Sequence, residues 1–203
     1  MIEDKRRVNT MDWNKLVWVF ICGMSIFCGS ACQSDYEKMV QKELASGVRQ
    51  DSLFFGLYLG MSSKDFFAQC WELNNQGVLY HGAENTTVEY RFKDFGKDAT
   101  MNFYPDFHDN KIYEMPATFA YTASAPWDPG YSADTLLKET LTMIAPWFGE
   151  GFIKLTHPEK GSVYAKVNGN RRVLLYKAGE KVKMLVTDLS LKKVVDAKEK
   201  QNA

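Results

Sequence analysis

The chain has 203 residues, of which 45% are hydrophobic, 14% aromatic and 25% charged. These proportions exclude a disordered chain, and the length allows one or two small domains. Lysine plus arginine and aspartate plus glutamate each number 25, so the chain has no net charge and lacks the basic surface of a nucleic-acid-binding protein. Four cysteines are too few for a disulfide scaffold of this length. We therefore predict a folded protein that does not bind nucleic acid.

The amino-terminal segment, residues 1–31, has the pattern of an export signal. Lys15 precedes an apolar run over residues 16–27, and small residues follow this run. A helix of this length covers about 18 Å, whereas the hydrocarbon core of a bilayer is about 30 Å thick. We therefore predict that the segment is cleaved rather than kept as a spanning helix. Met11 lies closer to the run than Met1 does, so either residue is a possible start.

Four residues at the end of this segment, Gly29-Ser30-Ala31-Cys32, resemble the lipobox of bacterial lipoproteins. In that family small residues precede a cysteine that receives a diacylglycerol thioether and becomes the new amino terminus. Gly29 departs from the family, which normally has leucine or a similar residue there. The resemblance implies lipidation at Cys32 and a lipid anchor and tether over residues 32–52, because two or three acyl chains hold a protein stably on a membrane. Ordinary secretion is one alternative, since Gly29 and Ala31 also fit a small-x-small cleavage site, and a retained anchor is the other.

The residues directly after Cys32 are polar and acidic. They resemble the short tract that follows the anchor cysteine in some surface-exported lipoproteins of Gram-negative bacteria. The resemblance implies an outer-membrane lipoprotein that faces either the periplasm or the cell surface. Residues 36–45 then predict a short helix or a flexible stalk between the membrane and the fold.

The first part of the fold, residues 53–123, is predicted to contain one helix followed by a meander. Residues 53–59 form a dense apolar run that favours a short buried strand. Ser62 and Asp65 have the spacing of a capping box, so a helix is predicted to begin there. One apolar stripe of this helix is predicted to pack on the core and to include a buried thiol; its members are Phe66, Phe67, Cys70 and Trp71. Alternating patterns then predict strands over residues 78–80, 88–92, 101–103 and 112–121.

The second part, residues 124–203, repeats this order. Proline, tryptophan and glycine over residues 123–131 predict a connection, after which Ser132 caps a helix that ends near Pro146. Strands are predicted over residues 152–156, 162–167, 173–177 and 182–187, and a helix over residues 191–200. Asn168-Gly169 predicts a type I′ hairpin turn, because both residues tolerate positive φ.

The predicted class is α+β, with two helix-plus-antiparallel-meander units whose helices pack on one face of the sheet. The layout of an aromatic run, Gly60-Met61-Ser62, a helix and a meander is similar to that of the SmpA/OmlA family of small outer-membrane-assembly lipoproteins and of tandem β-lactamase-inhibitor-like domains. The signal and the length are closer to those of uncharacterised bacterial lipoproteins, which imply no activity.

The sequence offers little support for catalysis or for a metal site. His81, His108 and His157 fall in predicted turns, and their spacing does not fit a zinc site. The loop that contains Asp106, Asp109 and Asn110 concentrates oxygen ligands but lacks the spacing of a calcium loop, so a solvated turn is favoured. Neither a nucleophile elbow nor a phosphate-binding loop is present. We predict a protein that is not an enzyme and that has no cofactor and no metal.

Three aromatic residues, Trp127, Trp147 and Phe148, lie in or near predicted loops and are candidates for an exposed interface. Packing at the ends of the core is the alternative for them. The leading hypothesis is a membrane-anchored, non-catalytic binding or assembly module with an envelope protein as a possible partner. The first alternative is a lipid-anchored enzyme or small-ligand-binding protein that uses a cleft between the two units, and the second is a purely structural envelope protein.

Overall fold

The computed structural model of the protein describes residues 35–82, 86–92, 97–123, 125 and 127–202. Cys32 and the predicted export signal lie outside these residues. The chain divides into two units, Met1–Lys38 and Met39–Ala203. The second unit contains the sheet and the helices that pack on it.

The helices begin where the sequence places capping residues. Their bounds are α1 Asp35–Ala45, α2 Ser63–Asn75, α3 Ala133–Phe148 and α4 Leu189–Asn202. Ser62 and Ser132 cap α2 and α3, and each hydroxyl accepts a hydrogen bond from an amide of the first turn, as predicted. A 3₁₀ turn over Pro129–Tyr131 leads into α3. None of the described helices combines the length and the apolar composition that a bilayer-spanning helix requires.

All described strands belong to one antiparallel sheet. The sheet order is β1-β2-β3-β5-β9-β8-β7-β6, and β4 pairs with β5 off this path. The bounds are β1 Tyr80–His81, β2 Val88–Phe92, β3 Ala99–Phe103, β4 Asp106–His108, β5 Lys111–Tyr121, β6 Ile153–His157, β7 Gly161–Asn168, β8 Arg171–Ala178 and β9 Lys181–Asp188. Helices and an antiparallel sheet in one chain confirm the predicted α+β class.

Each predicted helix-plus-meander segment supplies one half of this sheet. The strand that ends the first meander, β5, pairs with the strand that ends the second, β9, so the two halves join without a break. Helix α3 lies over this junction, where Leu136 and Ile144 are buried with Phe119 and Val186. The centre of the core therefore lies where β5, β9 and α3 meet.

The predicted strand at residues 53–59 is wrong. Ser52 and Tyr58 form an isolated bridge, and the chain between them turns through positive φ at Phe55 (56°) and Gly56 (76°). The hydrogen bonds here are those of a tight turn, because the Leu57 amide donates to the Phe54 carbonyl (2.9 Å) and the Leu53 amide donates to the Leu57 carbonyl (2.9 Å). The turn directs the apolar side chains of residues 53–59 inward. Their hydrophobicity therefore indicates burial but not an extended backbone.

The hairpin between β7 and β8 forms as predicted, but its turn lies one residue later. Asn168 pairs with Arg171, so Gly169 and Asn170 form the loop. Of these two residues only Gly169 has positive φ (55°), as in a type II′ turn, so the predicted type I′ turn is wrong. Positive φ at both loop residues is found instead at Asp109 (48°) and Asn110 (63°), between β4 and β5.

The turn between β7 and β8 contacts the end of α1 and the chain that follows it. We call the contact between residues 43–52 and residues 169–171, together with Asp188, the amino-terminal clamp. The Gly169 amide donates to Glu43 Oε2 (2.8 Å), the Gln50 amide donates to Asn170 Oδ1 (2.7 Å), and Asn170 Nδ2 donates to Asp51 Oδ1 (3.0 Å). Arg49 also forms an ion pair with the buried carboxylate of Asp188 at 2.9 Å. The clamp therefore fixes where the predicted tether enters the domain.

Candidate binding groove

A groove of about 300 Å³ lies between helix α2 and the edge of the sheet formed by β1 and β2. It is open to solvent, and most of the surface that lines it is apolar. The lining residues come from α2 (Phe67, Cys70, Trp71 and Asn74), from β1 and the residue before it (Leu79, Tyr80 and His81), from the first residue of β2 and the two before it (Thr86, Thr87 and Val88) and from the residue after β3 (Tyr104). All of them belong to residues 53–123, so this groove is not the predicted cleft between the two units.

Helix α2 has two apolar stripes where the sequence predicts one. Phe66 is fully buried, but Phe67 is 52% exposed and Trp71 is 66% exposed, so the prediction that all three face the core is wrong. Successive residues of a helix point about 100° apart, which turns Phe67 away from the core that Phe66 enters. The α2 residues of the groove have the spacing i, i+3, i+4 and i+7, so they form a stripe of their own.

Hydrogen bonds at both ends of α2 set its position over the sheet edge. At the start, the Ser63 amide donates to the Asn110 carbonyl (3.2 Å) and the Ser63 hydroxyl donates to Asn110 Oδ1 (2.5 Å). In the middle, Gln69 Nε2 donates to the carbonyl of Phe55 (3.0 Å). At the end, Asn74 Nδ2 donates to the carbonyl of Leu79 (2.8 Å). The helix is thus fixed to the β4–β5 turn, to the 53–59 turn and to Leu79, the residue before β1.

Several polar groups of the groove already have partners. The lining residues that the structure describes include no lysine, arginine, aspartate or glutamate. Tyr80 donates its hydroxyl hydrogen to the Gly77 carbonyl (2.9 Å), Thr87 Oγ1 donates to Asn102 Oδ1 (3.2 Å), and the Asn74 amide is bound to Leu79. Three polar side chains of the described lining are therefore committed to groups of the protein, and most of the lining surface is apolar. This favours an uncharged apolar ligand.

Cys70 is a free, half-buried thiol in the wall of the groove. Burial raises the pKa of this thiol to about 12, because the thiolate loses its hydration there. At neutral pH Cys70 is therefore protonated and a poor nucleophile. It belongs to the apolar wall rather than to a reactive centre.

The three aromatic residues predicted as an interface lie in different surroundings. Trp127 is 84% exposed. Trp147 is half-buried, with its ring 5.2 Å from the ring of Phe54. Phe148 is only 3% exposed and is part of the core, so it cannot present its side chain to a partner. The three residues therefore do not form one exposed patch, because Phe148 and part of Trp147 pack at the end of the core.

The prediction that the three histidines lie in turns is wrong. His81, His108 and His157 are each the last residue of a strand, β1, β4 and β6 respectively. Among the described residues, no cluster of three or more histidine, cysteine, aspartate or glutamate side chains is arranged to hold a metal ion. The loop considered for calcium contains the tight turn at Asp109-Asn110, and Asn110 Oδ1 is taken by Ser63.

Sequence reasoning missed the groove because hydrophobic spacing alone does not show which stripe is covered. The i, i+4 pair Phe67 and Trp71 was a usable signal, since its direction on the helix differs from that of Phe66.

Comparison of the chain with known protein families, with curated proteins and with solved structures gives no match in any of the three. The resemblances to lipoproteins and to β-lactamase-inhibitor-like domains therefore stay predictions.

Proposed function

We propose that this chain is a membrane-anchored envelope lipoprotein that acts as a non-catalytic binding module, with the groove between α2 and β1 as its binding surface. The observation that carries the proposal is the exposure of Phe67 and Trp71 along a neutral cavity of about 300 Å³. Large aromatic side chains at the rim of a preformed cavity are typical of binding sites. Such a surface gains free energy when a ligand removes it from water.

The size of the groove sets the kind of group that it takes. Ligand pockets measure about 300–1,000 Å³, and a dry apolar cavity of about 150 Å³ already holds benzene. The groove, at about 300 Å³, is therefore large enough for one bicyclic aromatic group or one long apolar side chain. Its uncharged lining disfavours phosphates and carboxylates, because a charge that enters without a partner loses its hydration.

The chemistry of the lining supports binding rather than catalysis. Cys70 is its strongest potential nucleophile, and the raised pKa keeps that thiol protonated. Among the described lining residues His81 is the one imidazole, and no hydrogen bond between described residues joins it to Cys70. The described walls can exclude water and hold an apolar group, and they contain no thiol that a hydrogen-bonded base activates.

The proposed anchor is a lipidated Cys32 on the outer membrane, with the domain in the periplasm or at the cell surface. Replacement of Cys32 by serine is expected to move the protein from the membrane fraction to the soluble fraction of its native host, because two or three acyl chains are lost. Mass spectrometry of the wild-type protein is expected to show an acylated amino-terminal Cys32. An unmodified Cys32, or a leader that is still attached, would contradict the anchor.

The groove is tested with 5-fluoroindole, a small neutral aromatic probe, and the full chain in phosphatidylcholine nanodiscs. Fluorine NMR of the probe gives its Kd, and empty nanodiscs correct for partition into lipid. Replacement of Trp71 by alanine is expected to weaken binding by about tenfold, or ~1.4 kcal/mol, because one wall of the groove is lost.

The matched control is Trp127→Ala, which removes the same side chain from an exposed site outside the groove. We expect the Kd of this variant to stay within about twofold of the wild-type value, as for other surface substitutions. Equal weakening by both substitutions, or no effect of either, would rule out the groove as the binding surface.

A further inference from the structure

The edge of the sheet beside the groove leaves one residue with its main-chain groups turned outward. In the β1–β2 ladder Tyr80 pairs with Glu89 and His81 pairs with Val88. The Gly82 amide donates to the Thr87 carbonyl at 2.9 Å, which makes Gly82 and Thr87 a hydrogen-bonded pair. Hydrogen-bonded and non-hydrogen-bonded pairs alternate along antiparallel strands, so His81 and Val88 form a non-hydrogen-bonded pair. The N–H and C=O groups of His81 therefore point away from β2.

Strand β1 is the terminal strand of the sheet, and α2 covers only part of its outer edge. At Leu79 the outward groups are taken, because the Leu79 amide donates to the Leu73 carbonyl (3.2 Å) and its own carbonyl accepts from Asn74 Nδ2. Two residues further on, none of the residues that the structure describes bonds to the outward groups of His81. The edge thus changes from covered to open at the point where it borders the groove.

The side chains at this point face the groove. Val88 lines the groove and packs against the core, and His81, which pairs directly with it, projects from the same face of the sheet. A strand added opposite His81 would exchange two main-chain hydrogen bonds with it. The side chain of the added residue would then lie on the groove side, next to the wall that contains Phe67 and Trp71.

We infer that the groove takes an extended peptide segment of a partner protein, which adds to the β1 edge at His81 and places one large, uncharged apolar side chain in the groove. The inference rests on the proposed function of the groove and names its ligand. The charges of the site support this occupant, because the described lining residues include no lysine, arginine, aspartate or glutamate, so an uncharged side chain enters without leaving a charge unpaired. Strand addition supplies affinity through the main chain and specificity through the side-chain pocket.

Two other occupants fit the observations less well. A sugar needs several free hydrogen-bonding side chains, whereas Asn74, Tyr80 and Thr87 already donate to groups of the protein. An acyl chain would fill the apolar walls but would leave the outward N–H and C=O of His81 unused. The peptide uses both the walls and the edge.

The test measures fluorescence anisotropy of a fluorescein-labelled Ser-Thr-Phe-Thr-Ser amide with the full chain in phosphatidylcholine nanodiscs. Two altered probes separate the contributions: alanine in place of phenylalanine removes the apolar group, and N-methyl-phenylalanine removes its main-chain donor. We expect each change to raise the Kd by about tenfold, and the parent probe to displace 5-fluoroindole.

Two variants locate the hydrogen bonds. His81→Pro removes the outward amide, which the β1–β2 ladder does not use, and His81→Ala keeps that amide but removes the imidazole. We expect His81→Pro to bind the parent probe about tenfold more weakly, because the donor to the probe carbonyl is lost, whereas His81→Ala binds it within about twofold of the wild-type Kd. The altered probes keep the test valid with wild-type protein if His81→Pro fails to fold.

The outcomes separate this inference from the proposed function. Equal affinity for the parent and N-methylated probes would overturn strand addition. Binding of 5-fluoroindole without binding of the peptide would overturn the inference and leave the proposed function standing; displacement of 5-fluoroindole by 1-octanol alone would do the same and would assign the groove to an acyl chain. Failure of every probe to bind would overturn both.

Discussion

Replacement of Phe66 by alanine is expected to lower the free energy of unfolding by about 3–5 kcal/mol, the usual cost of truncating a fully buried phenylalanine. The Phe66 side chain is fully buried, and its ring packs edge-on against the rings of Tyr104 (5.9 Å) and Phe107 (6.1 Å). Alanine would leave a cavity beneath α2. Urea unfolding of the full chain measures the loss as a lower midpoint at an unchanged m value.

The neighbouring residue provides the control. Phe67 carries the same side chain on the same helix but faces the groove and is half exposed, so Phe67→Ala is expected to cost less than about 1 kcal/mol. A single core-facing stripe on α2 predicts similar losses at both positions. Similar losses would therefore contradict the two-stripe structure of α2 and the groove that depends on it.

Replacement of Gly169 by alanine is expected to have the next largest effect on stability. Gly169 has a φ of +55°, and a Cβ at this position would collide with the carbonyl oxygen of Val48. The left-handed backbone costs the variant about 1–2 kcal/mol and overpacking costs about 1–3 kcal/mol. We therefore expect the free energy of unfolding to fall by about 3 kcal/mol. The variant could avoid the collision only if the β7–β8 turn moved away from Val48, and this movement would break the amino-terminal clamp.

Gly179 is the matched control for this substitution. It occupies the same first position in the two-residue loop between β8 and β9, with a φ of +63°, and a Cβ added there would have no heavy atom within 4 Å. Gly179→Ala is therefore expected to cost only the backbone contribution, about 1–2 kcal/mol. Equal losses of unfolding free energy for Gly169→Ala and Gly179→Ala in urea would show that the amino-terminal clamp does not keep the β7–β8 turn in contact with Val48.

Much of the fold follows from local signals. Ser62 and Ser132 begin helices because their hydroxyls satisfy first-turn amides, and the alternating segments become the strands of the sheet. The strand predicted at residues 53–59 fails because a dense apolar run indicates burial without fixing the backbone. Here the backbone follows a turn through positive φ at Phe55, a conformation that phenylalanine rarely adopts.

The position of the β7–β8 turn depends on distant residues. Asn-Gly at positions 168 and 169 favours a type I′ turn locally, but the observed loop begins at Gly169. This shift places Asn170 in the loop, where its side chain binds the Gln50 amide and Asp51. Contacts with residues more than a hundred positions away in the chain thus override the local preference.

The groove could be predicted only in part. The helical spacing of Phe67 and Trp71 is visible in the sequence, but a core stripe has the same pattern when another element covers it. What leaves this stripe open is the sheet order, which makes β1 the edge strand and places no further strand against α2. The outward groups of His81 arise from strand register and have no local signal.

Protection of Cys70 from alkylation tests the central claim, that an apolar ligand binds in this groove, most directly. Cys70 lines the groove, so a bound ligand must block access to its thiol. Iodoacetamide reacts with the thiolate, which the raised pKa of Cys70 keeps scarce, so labelling is followed at about pH 9. With 5-fluoroindole at about ten times its Kd, we predict that iodoacetamide labels Cys70 about tenfold more slowly in the wild-type protein and in Trp127→Ala. At the same concentration Trp71→Ala should lose most of this protection. An unchanged labelling rate in wild-type protein that fluorine NMR shows to be saturated would contradict the claim.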